Sequence, residues 1–107
     1  MERCWVASLG SLVDGAGTRV VAGGRRLALF RLGDEVFALG DSCSHAEASL
    51  AEGMVSEGTV ECPRHGAAFD LRTGEALSLP ATHPVPAYLV EVEGGEVFVH
   101  LPAEEGR

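Results

Sequence analysis

Two short pairs of metal-binding side chains, Cys43-Ser44-His45 and Cys62-Pro63-Arg64-His65, stand with sixteen residues between them, and they restrict the fold more than any other feature of the chain. Thiolate and imidazole are the side chains that hold soft or borderline iron and zinc, and two loops giving two ligands each close a four-ligand site. A fold that uses them must bring the two loops together. The chain has three cysteines and four histidines in all, so accident is a poor account of the same order arising twice. The stretch around the pairs, about residues 41–86, is crowded with Cys, His, Gly and Pro, and period-two alternation survives only in patches such as Thr59 to Glu61 and Ala67 to Leu71. That pattern is too irregular to hold itself together by a hydrophobic face, so a metal is expected to staple it. Gly66, directly after the last histidine, suits a backbone that must turn close to a cofactor.

The two ends of the chain read differently. Short alternating runs, each closed by Gly or Pro within about ten residues, predict a small all-β, antiparallel sandwich or barrel without long helices. Strands are expected over Cys4 to Ser8, Thr18 to Ala22, Arg25 to Leu32 and Glu35 to Leu39, with a Gly15-Ala16-Gly17 turn between the first two. Gly33-Asp34 makes a tight hairpin between the third and fourth. Tyr88 to Val92 and Glu96 to His100, flanking Gly94-Gly95, form a second hairpin with Val97 and Val99 on one face and Phe98 on the other. The organisation is thus a β scaffold built by both ends, carrying a loop-rich insert where function is expected to sit.

With 107 residues the chain is expected to form one domain, 1–107, leaving no room for a second, catalytic one. Eight basic residues against sixteen acidic ones give a formal net charge of −8, which makes nucleic acid an unexpected partner. The opening residues have an acid at position 2 and no uninterrupted apolar core, and no stretch approaches the length of a membrane span. The odd cysteine count without an export signal argues against a disulfide framework. A cytoplasmic, reducing setting is expected.

Spacing alone leaves the metal open, since Cys-x-His with Cys-x-x-His also suits a tetrahedral structural zinc. Cys43-x-His45, the sixteen-residue gap and Cys62-Pro63-x-His65-Gly66, however, resemble the binding motif of Rieske [2Fe-2S] proteins. The resemblance implies one [2Fe-2S] cluster, with Cys43 and Cys62 on the inner iron and His45 and His65 on the outer, more exposed one. It extends to Leu50 and Gly53, to Glu61 through Asp70 with Thr73-Gly74, and to Leu79 through Pro86 with Tyr88 and Val90, the last resembling a proline-containing loop that shields the cluster. It covers roughly residues 35 to 100.

Departures from the family's high-potential branch carry as much meaning as the matches. Respiratory and photosynthetic members have an extra cysteine in each loop, joined by a disulfide, and a membrane anchor. Arg64 stands where the second of those cysteines would be, and no cysteine follows His45 in Ala46 to Ser49. Those members also aim a Ser and a Tyr hydroxyl at the cluster, from positions that match Ala67 and Phe69. Without these donors the sulfur charge is less stabilised, so the expected potential is at the low end of the Rieske range, about −150 mV.

By resemblance, then, the chain is a one-electron carrier rather than an enzyme. It would pass electrons from a flavin-dependent or other reductase to a terminal oxygenase such as a ring-hydroxylating dioxygenase. Alternatives are the small subunit of an assimilatory nitrite reductase, a noncatalytic zinc-stapled interaction module, or a cluster-based sensor. Among the remaining candidates, Cys4 is expected as a packed thiol, His83 as a plain loop residue, His100 as a surface residue and Arg64 as pointing outward.

Overall fold

The computed structural model describes residues 2–41, 48–64, 66–79 and 83–102. Nine strands are described: β1 (Glu2–Ser8), β2 (Gly17–Ala22), β3 (Arg25–Leu32), β4 (Glu35–Gly40), β5 (Met54–Ser56), β6 (Thr59–Glu61), β7 (Ala68–Asp70), β8 (Ala87–Glu93) and β9 (Glu96–Leu101). Short 3-10 turns occupy Leu9–Ser11 and Leu50–Glu52. The scaffold strands form one six-stranded antiparallel sheet in the order β1-β9-β8-β4-β3-β2, and the insert forms a three-stranded sheet, β5-β6-β7. The larger sheet curls into a half-barrel, bringing its edge strands β1 and β2 near each other. The all-β expectation holds.

β3 and β6 coincide with their expected spans, and the other expected scaffold strands run a residue or two longer. β1 and β2 do not pair across the Gly15-Ala16-Gly17 turn; β1 pairs with β9, from Glu2 opposite Leu101 to Ser8 opposite Glu96. The Gly15 amide instead donates to the Arg31 carbonyl at 2.7 Å, and the Gly33 amide donates to the Asp14 carboxylate at 2.9 Å. These bonds draw the segment before β2 toward the end of β3 and out of a hairpin.

β3 divides the interior. Leu27, Ala28, Leu29 and Phe30 are all 0–1% exposed, as an unbroken apolar run requires when both faces of a strand are covered. Leu27 and Leu29 face the inside of the half-barrel with Val36, Ala38, Leu12, Val97, Val99 and Leu101. Ala28 and Phe30 face the other way, with Leu39, into a second core completed by the insert residues Leu50, Val60, Cys62, Ala67, Phe69, Leu71 and Val85. The insert does not rest on a hydrophobic face of its own alone, since its core is shared with the scaffold. Its apolar residues are scattered along the chain, but folding gathers them on the outer face of the β3–β4 hairpin, where each large side chain contributes about 1.5–3 kcal/mol.

Candidate metal centre

The second ligand loop grows directly from the β6–β7 ladder. Glu61 pairs with Ala68, and the next residues inward are joined by the Cys62 amide donating to the Ala67 carbonyl at 2.7 Å. The Gly66 amide then donates to the Cys62 carbonyl at 3.0 Å, closing a tight turn in which Gly66 takes the left-handed φ of 77° that glycine reaches without a Cβ penalty. Cys62 is 1% exposed and its thiol is not in a disulfide. Pro63, Arg64 and Gly66 are exposed, so the loop enters the core at the cysteine and leaves it at once. Arg64 is at the surface, as expected. His65 lies outside the described residues.

The first ligand loop leaves the end of β4 and returns at the 3-10 turn Leu50–Glu52. Cys43 and His45 lie outside the described residues, but the base of the loop is described. The Leu50 amide donates to the Asp41 carbonyl at 2.6 Å, and the Asp41 carboxylate accepts from the Ser49 hydroxyl at 2.8 Å and the Ala51 amide at 3.1 Å. Leu50 is fully buried in the same core as Cys62, so the two ligand loops share one apolar floor. Asp41 is itself 4% exposed, the one buried charged residue among the described residues. Sequence reasoning missed it, because its partners are eight to ten residues away and an acid after a strand reads as a solvated turn.

The third segment is pinned beside the second loop at both of its ends. The Leu77 amide donates to the Ala68 carbonyl at 2.8 Å, the Ala68 amide donates to the Ser78 hydroxyl at 3.0 Å, and the Val85 amide donates to the Gly74 carbonyl at 2.9 Å. Leu79 is 77% exposed while Val85 is 3% exposed; residues 80–82 lie outside the described residues. Ala67 and Phe69 are both fully buried in the core that holds Cys62, and neither side chain carries a hydrogen-bond donor.

Of the other candidates, Cys4 is partly buried on β1 against the half-barrel core, a packed thiol as expected. His83 is exposed. His100 lies on the outer face of the sheet, its side chain 24% exposed, with Nε2 3.0 Å from a carboxylate oxygen of Glu91. Arg3 covers the same face, 3.8 Å above the Phe98 ring and 2.7 Å from Glu93, so this surface position is partly covered by neighbouring long side chains.

The chemistry of the donor set fits an iron–sulfur cluster. Cys62 presents its sulfur from within the apolar core and is not in a disulfide, and two cysteines with two histidines are the set that holds a [2Fe-2S] cluster with histidine on one iron. The sequence matches the Rieske [2Fe-2S] domain family over residues 2–89. It is 44% identical over 103 residues to the 3-phenylpropionate/cinnamic acid dioxygenase ferredoxin subunit of Escherichia coli (strain K12), covering 95% of this chain and 96% of that one. The fold superposes on the ferredoxin of carbazole 1,9a-dioxygenase from Nocardioides aromaticivorans IC177 with a TM-score of 0.88 at 40% identity, covering 92% of this chain and 97% of that one. It also matches a structure described as a complex of reduced oxygenase and oxidized ferredoxin in carbazole 1,9a-dioxygenase, with a TM-score of 0.82 at 39% identity and 91% of each chain covered. The chain belongs to the Rieske [2Fe-2S] family, whose members carry one [2Fe-2S] cluster.

Proposed function

We propose that the chain is the ferredoxin of a ring-hydroxylating dioxygenase system, taking one electron from a flavin-dependent reductase and giving it to a terminal oxygenase. The observation that carries this reading is the end-to-end match with a dioxygenase ferredoxin subunit, 95% of one chain against 96% of the other. The protein is an electron carrier and performs no substrate chemistry. It works as a single domain, 1–107, with residues 41–86 as the cluster-binding insert, and its setting is the cytoplasm; among the described residues no helix is long and apolar enough to cross a membrane.

Cys43, His45, Cys62 and His65 are the ligands in this reading. When bound, the cluster supplies one-electron chemistry. Cys62 holds the inner side of the site from within the apolar floor, and His45 and His65 would hold the second iron. Ala67 and Phe69 exclude water beside Cys62 without donating a hydrogen bond, which keeps the potential low.

The test is reconstitution. An NADH-dependent flavin reductase and a ring-hydroxylating oxygenase of the phenylpropionate type are mixed with the aromatic substrate, with and without the chain. Product formation is expected only when the chain is present, and Cys62→Ser is expected to abolish it. Turnover equal without the chain, or electron delivery to a nitrite reductase in preference to the oxygenase, would overturn the reading.

A further inference from the structure

Asp41 is buried and charged, yet it is not one of the proposed ligands. A buried carboxylate is destabilising unless hydrogen bonds replace its water, and the bonds that do so here all come from the far end of the first ligand loop. Its carbonyl accepts from Leu50, and its carboxylate accepts from the Ser49 hydroxyl and the Ala51 amide. One residue thus ties the start of the loop to three consecutive residues at its end. The clasp is braced from β2. Arg19 Nε lies 3.8 Å from the Asp41 carboxylate and its Nη2 lies 3.8 Å from Glu52. Gly17 on the same strand lies so close to the loop end that a Cβ there would be 2.6 Å from the Ala51 carbonyl oxygen. Asp41 is also fixed to β3, its amide donating to the Arg26 carbonyl at 3.1 Å.

We propose that the Asp41 carboxylate is a positioning residue for the cluster: it clasps the base of the loop that carries Cys43 and His45, holding these ligands where they meet Cys62 and His65. This rests on the ligand assignment given above. The clasp fixes Asp41 and residues 49–51, which flank the segment carrying two of the proposed ligands, to one another and to the scaffold. The clasp acts on geometry and touches no reacting atom.

The experiment compares the full-length, cluster-loaded wild type with Asp41→Ala, Asp41→Asn and Ser49→Ala. Three quantities are read: iron per chain, the rate at which visible absorption bleaches under an iron chelator, and the electron paramagnetic resonance line shape of the reduced protein. Hydrogen bonds to a charged group are strong enough that losing them should speed cluster loss about tenfold or more in Asp41→Ala. Loss of one bond in Ser49→Ala should speed it about threefold. Asp41→Asn keeps an acceptor oxygen for both partners and is expected to restore most of the wild-type lifetime and the wild-type line shape.

A lower unfolding midpoint in Asp41→Ala with lifetime and line shape unchanged would mean a purely structural role and overturn the proposal. If Asp41→Ala fails to fold, Ser49→Ala decides, and an unchanged lifetime there is the contrary result. A wild type that takes up no [2Fe-2S] cluster would instead overturn the ligand assignment, a distinct failure.

Discussion

Phe69 stands at the position where the high-potential branch of the family has a tyrosine, and it is fully buried in the core that holds Cys62. Phe69→Tyr therefore tests the low-potential reading directly. A hydrogen bond to a charged sulfur is worth about 1.5–3 kcal/mol, and for a one-electron couple this corresponds to a rise of about 60–130 mV, measurable by protein-film voltammetry. An unchanged potential would mean that the ring edge does not reach a ligand sulfur. The repeated Cys/His spacing singled out Cys62 in the sequence, and the fold buries it in the shared core. Asp41 was not legible there, since its role depends on which residues the fold returns to it. His100 was read as a surface residue, and its partial cover from Glu91 and Arg3 is invisible in a strand taken alone.

At the scale of elements, the β5–β6 turn shows a local conflict. Glu57 has φ 51°, followed by Gly58 at φ 79°, the pattern of a two-residue turn that favours Asn-Gly. Glu57→Asn is expected to stabilise the folded chain by about 0.5–1 kcal/mol, seen as a higher denaturant midpoint with the slope unchanged. Leu50 joins the first ligand loop to the apolar floor at 0% exposure. Leu50→Ala is expected to destabilise by about 2–5 kcal/mol in the same titration and to shorten cluster lifetime; retention of wild-type stability would contradict the shared floor. The scaffold hairpins were readable because alternation and turn residues agree in them. β5 was not, because Met54 and Ser56 are exposed and only Val55 is partly buried, too little to show a period. The insert's core was also hidden: Leu50, Val60, Phe69 and Val85 become neighbours only after the β3–β4 hairpin offers them its outer face.

For the molecule as a whole, charge and the cluster act together. The chain carries −8, and reduction adds one more negative charge, which opposes uptake of the electron in the same direction as the missing hydroxyl donors. A net charge of this size favours basic docking surfaces, so stopped-flow reduction of the proposed oxygenase partner is expected to slow as salt rises from low to physiological ionic strength. A rate independent of salt would contradict charge-guided docking. The fold class was legible from the two ends of the sequence, and the family from the motif in its middle. What the sequence hid was their junction, where β3 carries one core on each face. The central claim is that the two Cys/His pairs hold one [2Fe-2S] cluster, and electron paramagnetic resonance of the dithionite-reduced, anaerobically purified protein tests it most directly. The account predicts a signal of one spin per two irons, with the low average g value of mixed cysteine and histidine ligation. An all-cysteine type of signal, or no signal with stoichiometric zinc in the protein, would contradict it.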